Sequence, residues 1–191
     1  MDLLHATWRM EYVAAPRAPE QRAGQSSPFA AMLATPADDE ANLVLWRGAL
    51  SFIVLNRYPY NPGHLLVLPN REVAELTELT PEEQLDLFAA LGIGQGVLKR
   101  AMRPDGFNIG LNLGHAAGAG IPRHLHLHVV PRWEGDTNFM PVLGDTRVLP
   151  EALSRTWHKL KALLPTEAMG PARAYGSSRP RPVGGTTPPF P

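Results

Sequence analysis

The sequence predicts an α+β domain, built as a mainly antiparallel five-stranded sheet with one long helix. Two observations carry this. Five short apolar runs between residues 43 and 130 are separated by turn residues at hairpin-like spacing. A single stretch with helical signals, residues 80–102, falls between the third and fourth runs.

Leu43 to Trp46 is the first strand, and Arg47-Gly48-Ala49 turns the chain into the second, Leu50 to Leu55. Pro59 and Asn61-Pro62-Gly63 mark a loop. His64 to Leu68 follows as a third strand, and its dense apolar content suits a central position. Thr80-Pro81-Glu82-Glu83 starts the helix with a capping threonine, a proline in the first turn and two acids at the positive end of the dipole. Leu85, Phe88, Leu91, Val97 and Met102 carry it to residue 102. Gly92, Gly94 and Gly96 lie inside it, each costing roughly 1 kcal/mol relative to alanine. They read either as a weak point or as a place where another backbone comes close, and Gly92 and Gly96 share a face. Pro104-Asp105-Gly106 ends this unit. Phe107 to Asn112 is the fourth strand, a glycine- and alanine-rich loop spans 114–120, and His124 to Val130 is the fifth strand, stopped by Pro131. A helix over Pro150 to Leu164 closes the domain.

The domain therefore covers residues 42–165. Residues 1–41 precede it. They hold an aromatic segment, Trp8-Arg9-Met10-Glu11-Tyr12, expected to dock on the body, and an irregular connection over 16–41. Residues 166–191, rich in Pro, Gly, Ser, Thr and Arg, are expected to be a disordered tail.

Composition narrows the function classes. A hydrophobic fraction of 44% with 19% charged residues predicts a globular body. The formal net charge is zero, which argues against a broad nucleic-acid-binding surface. With no cysteine, disulfides, thiolate chemistry and cysteine-based zinc sites are excluded. No apolar run approaches the ~20 residues that span a bilayer. The start, Met1-Asp2-Leu3-Leu4-His5, lacks the pattern of a signal peptide. The expectation is a soluble cytoplasmic protein with neither nucleic acid nor membrane as partner.

The chemistry concentrates in His124-Leu125-His126-Leu127-His128-Val129-Val130. Alternate residues of a strand share a face, so three imidazoles project together, neighbours roughly 6–7 Å apart. Leu125, Leu127 and Val129 take the other face and pack into the core. Imidazole is a poor filler for three successive core positions. A shared metal ion is one use of such a row, since neutral imidazole binds zinc well. Phosphoryl or nucleotidyl transfer is the other, since imidazole serves as nucleophile, acid or donor to phosphate oxygen near neutrality. The loop with Gly114, Gly118 and Gly120 favours phosphate, because exposed backbone N–H groups hold anions.

At every position, residues 124–130 resemble the signature of the histidine triad (HIT) family. Asn61-Pro62-Gly63-His64-Leu65-Leu66-Val67-Leu68-Pro69 is similar to a second block of that family, and Pro131-Arg132-Trp133 through Val142 to its bacterial branch of diadenosine tetraphosphate phosphorylases. The resemblance implies a HIT-like fold and a homodimer formed through the long helix and a sheet edge. It implies a nucleotide or dinucleoside polyphosphate as substrate, split by phosphorolysis or hydrolysis, and no cofactor. It makes His126 the nucleophile that becomes a nucleotidyl-histidine, His128 a donor to phosphate oxygen, and His124 the group that orients His126 through its carbonyl. His64 stands near the nucleophile, Asn56 holds ribose hydroxyls and Asn112 contacts phosphate. Gly118, Gly120 and Arg123 assist the leaving group. Phe52 and Ile53 are candidates for the base pocket or for the core, and Trp133 for a base, a subunit contact or the interior.

Two departures from the family pattern stand out. Many bacterial relatives bind structural zinc through a Cys-x-x-Cys pair, a later histidine and the first triad histidine. Here Ser27-Pro28-Phe29-Ala30 and Glu72 stand at those places, so no structural zinc is expected and residues 16–41 should be looser. The loop Gly118-Ala119-Gly120-Ile121-Pro122-Arg123 lacks the hydroxyl or amide side chain of other branches. Two further readings stay open: a nucleotide-binding regulatory module with little turnover, and a metal-dependent hydrolase.

Overall fold

A computed structural model describes residues 26–136 and 152–165. Five strands, β1 (Val44–Arg47), β2 (Ser51–Leu55), β3 (Leu65–Pro69), β4 (Gly106–Leu111) and β5 (Leu127–Arg132), form one sheet in the order β1-β2-β3-β5-β4. Every pairing is antiparallel. Among the described residues there are four α-helices: α1 (Pro28–Ala34), α2 (Asp39–Asn42), α3 (Pro81–Met102) and α4 (Leu153–Lys161). The docking segment Trp8 to Tyr12, the stretch 137–142 and the tail 166–191 lie outside the described residues.

β2 and β3 are buried at every position, because the sheet is covered on both faces. Their register pairs Phe52 with Leu68, Ile53 with Val67 and Val54 with Leu66. Alternation then sorts the side chains. Ile53 and Leu65 face α3, where Gly94 brings the helix so close that an added Cβ would stand 3.2 Å from Leu65 Cδ1. Gly94 therefore admits the chain's own sheet, while Gly92 faces open space. Both ends of α3 follow from sequence: Thr80 and Glu83 make a reciprocal capping box, and Arg103 ends the helix in the left-handed region. At the other end of the sheet α4 covers the edge strand β1. There Trp157 Nε1 donates to Val44 O at 3.0 Å and Lys161 Nζ to Leu45 O at 2.8 Å.

Two expectations need correction. Residues 28–42 are not an irregular connection: they form α1, a short 3-10 turn and α2, and Arg47 of β1 ties them down. Its guanidinium pairs with Asp39 and donates to the carbonyls of Met32 and Leu33. The fifth strand is displaced, running from Leu127 through Pro131 to Arg132. Residues 124–126 precede the ladder, whose pairing with β3 stops at Val67 and Leu127, and Leu125 N–H donates instead to Val73 O at 2.7 Å. Beyond Val129 the strand is paired on one side only, where proline is tolerated.

Candidate active site

On the face opposite α3 lies a cleft of about 300 Å³. His126 and His128 form its back. Pro28, Phe29 and Met32 of α1 form one apolar wall, and Asn56, Arg57, Tyr58 and Tyr60 a second, more polar one. Gly118, Gly120 and Ile121 close it from the glycine-rich loop. His64 and His124 stand behind the cleft, both fully buried.

Each imidazole tautomer follows from its partners, since a backbone carbonyl only accepts and a backbone N–H only donates. His126 Nδ1 is 2.8 Å from His124 O, so Nδ1 carries the hydrogen and donates it. The lone pair is left on Nε2, the nitrogen of the cleft-lining side. His124 Nε2 donates to Pro69 O at 2.9 Å, so its Nδ1 accepts from the Ser27 hydroxyl at 2.6 Å. A second chain runs the opposite way. Tyr60 N–H donates to His64 Nδ1 at 3.0 Å, His64 Nε2–H donates to His128 Nδ1 at 3.0 Å, and the hydrogen of His128 therefore sits on Nε2. His126 is thus wired as a nucleophile or base and His128 as a donor, 5.0 Å apart between ring centroids.

His64 holds this place because Gly63 lets the chain turn beneath α3. Gly63 has φ +78°, and an added Cβ would meet Met102 Sδ at 2.6 Å. Electrostatics supports a neutral pair at the triad. Burial pushes His126 below the ordinary imidazole value against the opposing bond to the His124 carbonyl. Burial likewise lowers His124, partly offset by its bond to Pro69 and by the nearby Glu72 charge.

The expected residues divide. His126, His128, Asn56, Gly118 and Gly120 meet at the cleft, with His64 and His124 directly behind. Asn56 Oδ1 accepts from Tyr58 N–H at 2.9 Å, which fixes its amide, and Nδ2 lies 3.3 Å from His64 Nδ1. Phe52 and Ile53 do not line the cleft; both are completely buried because each sheet face is covered. Arg123 is drawn away from the cleft into an ion pair with Glu72 at 3.2 Å. Trp133 packs at the far end of α3, its Nε1 donating to Met102 O at 3.4 Å. Asn112 is half-buried beside β4 and does not line the cleft. Sequence reasoning missed Phe29, Met32, Arg57, Tyr58 and Tyr60. A Phe29–Met32 pair one turn apart inside the Pro/Ala stretch was the available signal.

The places where the resemblance implied zinc ligands hold Ser27, Ala30, Glu72 and His124. These do not fit a zinc ion. His124 Nδ1 takes a hydrogen from Ser27, and Glu72 accepts the Ser27 N–H at 2.8 Å. No group of three or more His, Cys, Asp or Glu suited to a metal occurs among the described residues.

An antiparallel sheet that sets two imidazoles of opposite tautomer, His126 and His128, at the back of a nucleotide-sized cleft is the make-up of a histidine-based nucleotide domain. The comparisons agree: residues 39–135 match the HIT domain, and the chain belongs to that family. It is 46% identical over 172 residues to the AP-4-A phosphorylase of Mycobacterium tuberculosis, covering 87% of this chain and 85% of the relative. It is 40% identical over 93 residues to the asymmetrical bis(5'-nucleosyl)-tetraphosphatase of Schizosaccharomyces pombe, 49% of this chain and 50% of that protein. The fold is similar to that of a zinc-bound histidine triad family protein from Mycobacterium smegmatis, with a TM-score of 0.58 and 26% identity over 72% of this chain and 92% of that one.

Proposed function

We propose that the chain is an enzyme that splits diadenosine tetraphosphate, or a similar dinucleoside polyphosphate, by nucleotidyl transfer through His126, with inorganic phosphate as acceptor. The observation that carries this reading is the His126 Nδ1–H bond to the His124 carbonyl, which leaves the Nε2 lone pair for attack. Nε2 attacks the α-phosphorus, the bond to the bridging oxygen breaks, and ATP leaves. The nucleotidyl-imidazolium keeps its Nδ1 hydrogen on the carbonyl. Phosphate oxygen then displaces Nε2 from phosphorus and releases ADP. His128 Nε2–H and the backbone N–H of Gly120 offset charge on the non-bridging oxygens, the N–H of Gly118 being held by His115 O. Asn56 takes the ribose hydroxyls, and the wall of Phe29 and Met32 takes the base.

Phosphate as acceptor is favoured over water by the likeness to the mycobacterial phosphorylase, which spans most of both chains. Product analysis tests it. With diadenosine tetraphosphate, ADP and ATP should form only when phosphate is present. AMP and ATP formed without phosphate would make the chain a hydrolase, and bound nucleotide without turnover would make it a regulatory module.

Pairing of two chains belongs to the same reading. Leu85 and Phe88 of α3 are exposed on the face that also carries Gly92, and Ile109 of the edge strand β4 is exposed too. These surfaces favour a two-fold dimer through α3 and β4. Sedimentation should give a dimer at micromolar concentration, and a Phe88→Glu variant should sediment as a monomer. A native chain that sediments as a monomer would refute the pairing.

A further inference from the structure

We propose that Ser27 is a positioning residue for nucleotide binding, clipping the α1 wall of the cleft to the back of the triad. Its contacts converge from three directions. The hydroxyl donates to His124 Nδ1 at 2.6 Å, and the same oxygen accepts Ala30 N–H at 3.1 Å, capping α1. The Ser27 N–H donates to Glu72 Oε2 at 2.8 Å, while the other oxygen of Glu72 holds Arg123. Ser27 is fully buried, and so is His124.

The clip has a direct consequence for the cleft. Phe29 sits two residues past Ser27 and lies against both triad rings, 5.7 Å from His124 edge-on and 5.6 Å from His126. Pro28, Phe29 and Met32 are the apolar wall. α1 has seven residues, too few to hold a helix by itself, so its place depends on what anchors its ends. Arg47 anchors the C-terminal end, through the carbonyls of Met32 and Leu33. Ser27 anchors the other.

The nucleophile is held separately. His126 is oriented by the backbone carbonyl of His124, and that backbone is fixed by His124 N–H to Ile121 O and Leu125 N–H to Val73 O. The His124 Nε2–H bond to Pro69 O does not involve Ser27 and should survive its replacement. Loss of the hydroxyl should therefore loosen the wall and spare the attacking nitrogen.

The proposal builds on the function above, and the test separates the two. Ser27→Ala, Ser27→Gly and Ser27→Thr are compared with the native chain in turnover of diadenosine tetraphosphate with phosphate, and in AMP binding by calorimetry. Glycine is nearly as good a helix cap as serine but has no hydroxyl for His124, so it separates capping from clipping. Expected are an increase of about tenfold in KM and in the AMP dissociation constant for both Ala and Gly. The value of kcat should stay within about threefold of native, and Thr should restore KM. Unchanged KM and AMP affinity, a loss confined to kcat, or full rescue by Gly would each overturn the proposal. A native chain that binds AMP without turning over substrate refutes the substrate reading, while the AMP comparison still decides the role of Ser27. A native chain that binds no AMP overturns both.

Discussion

Replacing His126 with alanine should lower kcat for diadenosine tetraphosphate by about four orders of magnitude or more, with the fold retained. The other imidazoles cannot substitute. His124 has both nitrogens engaged, one by Ser27 and one by Pro69 O, and His128 presents a hydrogen where a lone pair is needed. Native turnover in His126→Ala would refute the covalent route. The native chain also has a defined pH signature. Burial keeps His126 neutral below the ordinary imidazole range, so the acid limb of kcat/KM should lie below that range. Stability follows the same sign. The folded pKa values of His124 and His126 are lowered, so the unfolded chain takes up protons first as pH falls. Their contribution is complete above the ordinary imidazole pKa and is lost progressively as pH falls from there toward the folded values. Denaturant midpoints at neutral and mildly acid pH, for native and His126→Ala chains, check both the direction and the share due to His126.

Ile53→Ala should cost about 2–5 kcal/mol of stability and leave kcat and KM of the folded chain unchanged. Ile53 has no exposed surface, and it packs beneath α3 near Gly94, on the face of β2 turned away from the cleft. Truncation opens a cavity there that neighbouring side chains fill only in part. Urea unfolding alongside steady-state kinetics gives the answer. A raised KM with an unchanged denaturant midpoint would return Ile53 to the base pocket.

The sheet and the long helix were legible because their signals are local. Alternation, turn residues and the helix start at Thr80-Pro81-Glu82-Glu83 located the ordered elements to within a few residues. The row of histidines was legible for the same reason, as period two on an extended chain brings them to one side. What escaped depends on distant partners. Nothing near Arg123 in sequence announces Glu72, 51 residues earlier, which takes its charge. Phe52 and Ile53 fall on opposite faces of β2, so no more than one of them was available to a cleft, and two-sided cover buries both. The segment 28–42 read as a connection because its proline and alanine content hides a helix of under two turns, one made stable by Arg47 and Ser27 rather than by propensity.

The HIT domain match begins at residue 39, whereas the apolar wall of the cleft comes from residues 28–32. The imidazoles at the back of the cleft and its apolar wall are thus encoded in separate stretches of the sequence. If that wall takes the base as proposed, change at Phe29 or Met32 would alter which nucleotide fits, while the bond that orients His126, made within residues 124–126, stays in place.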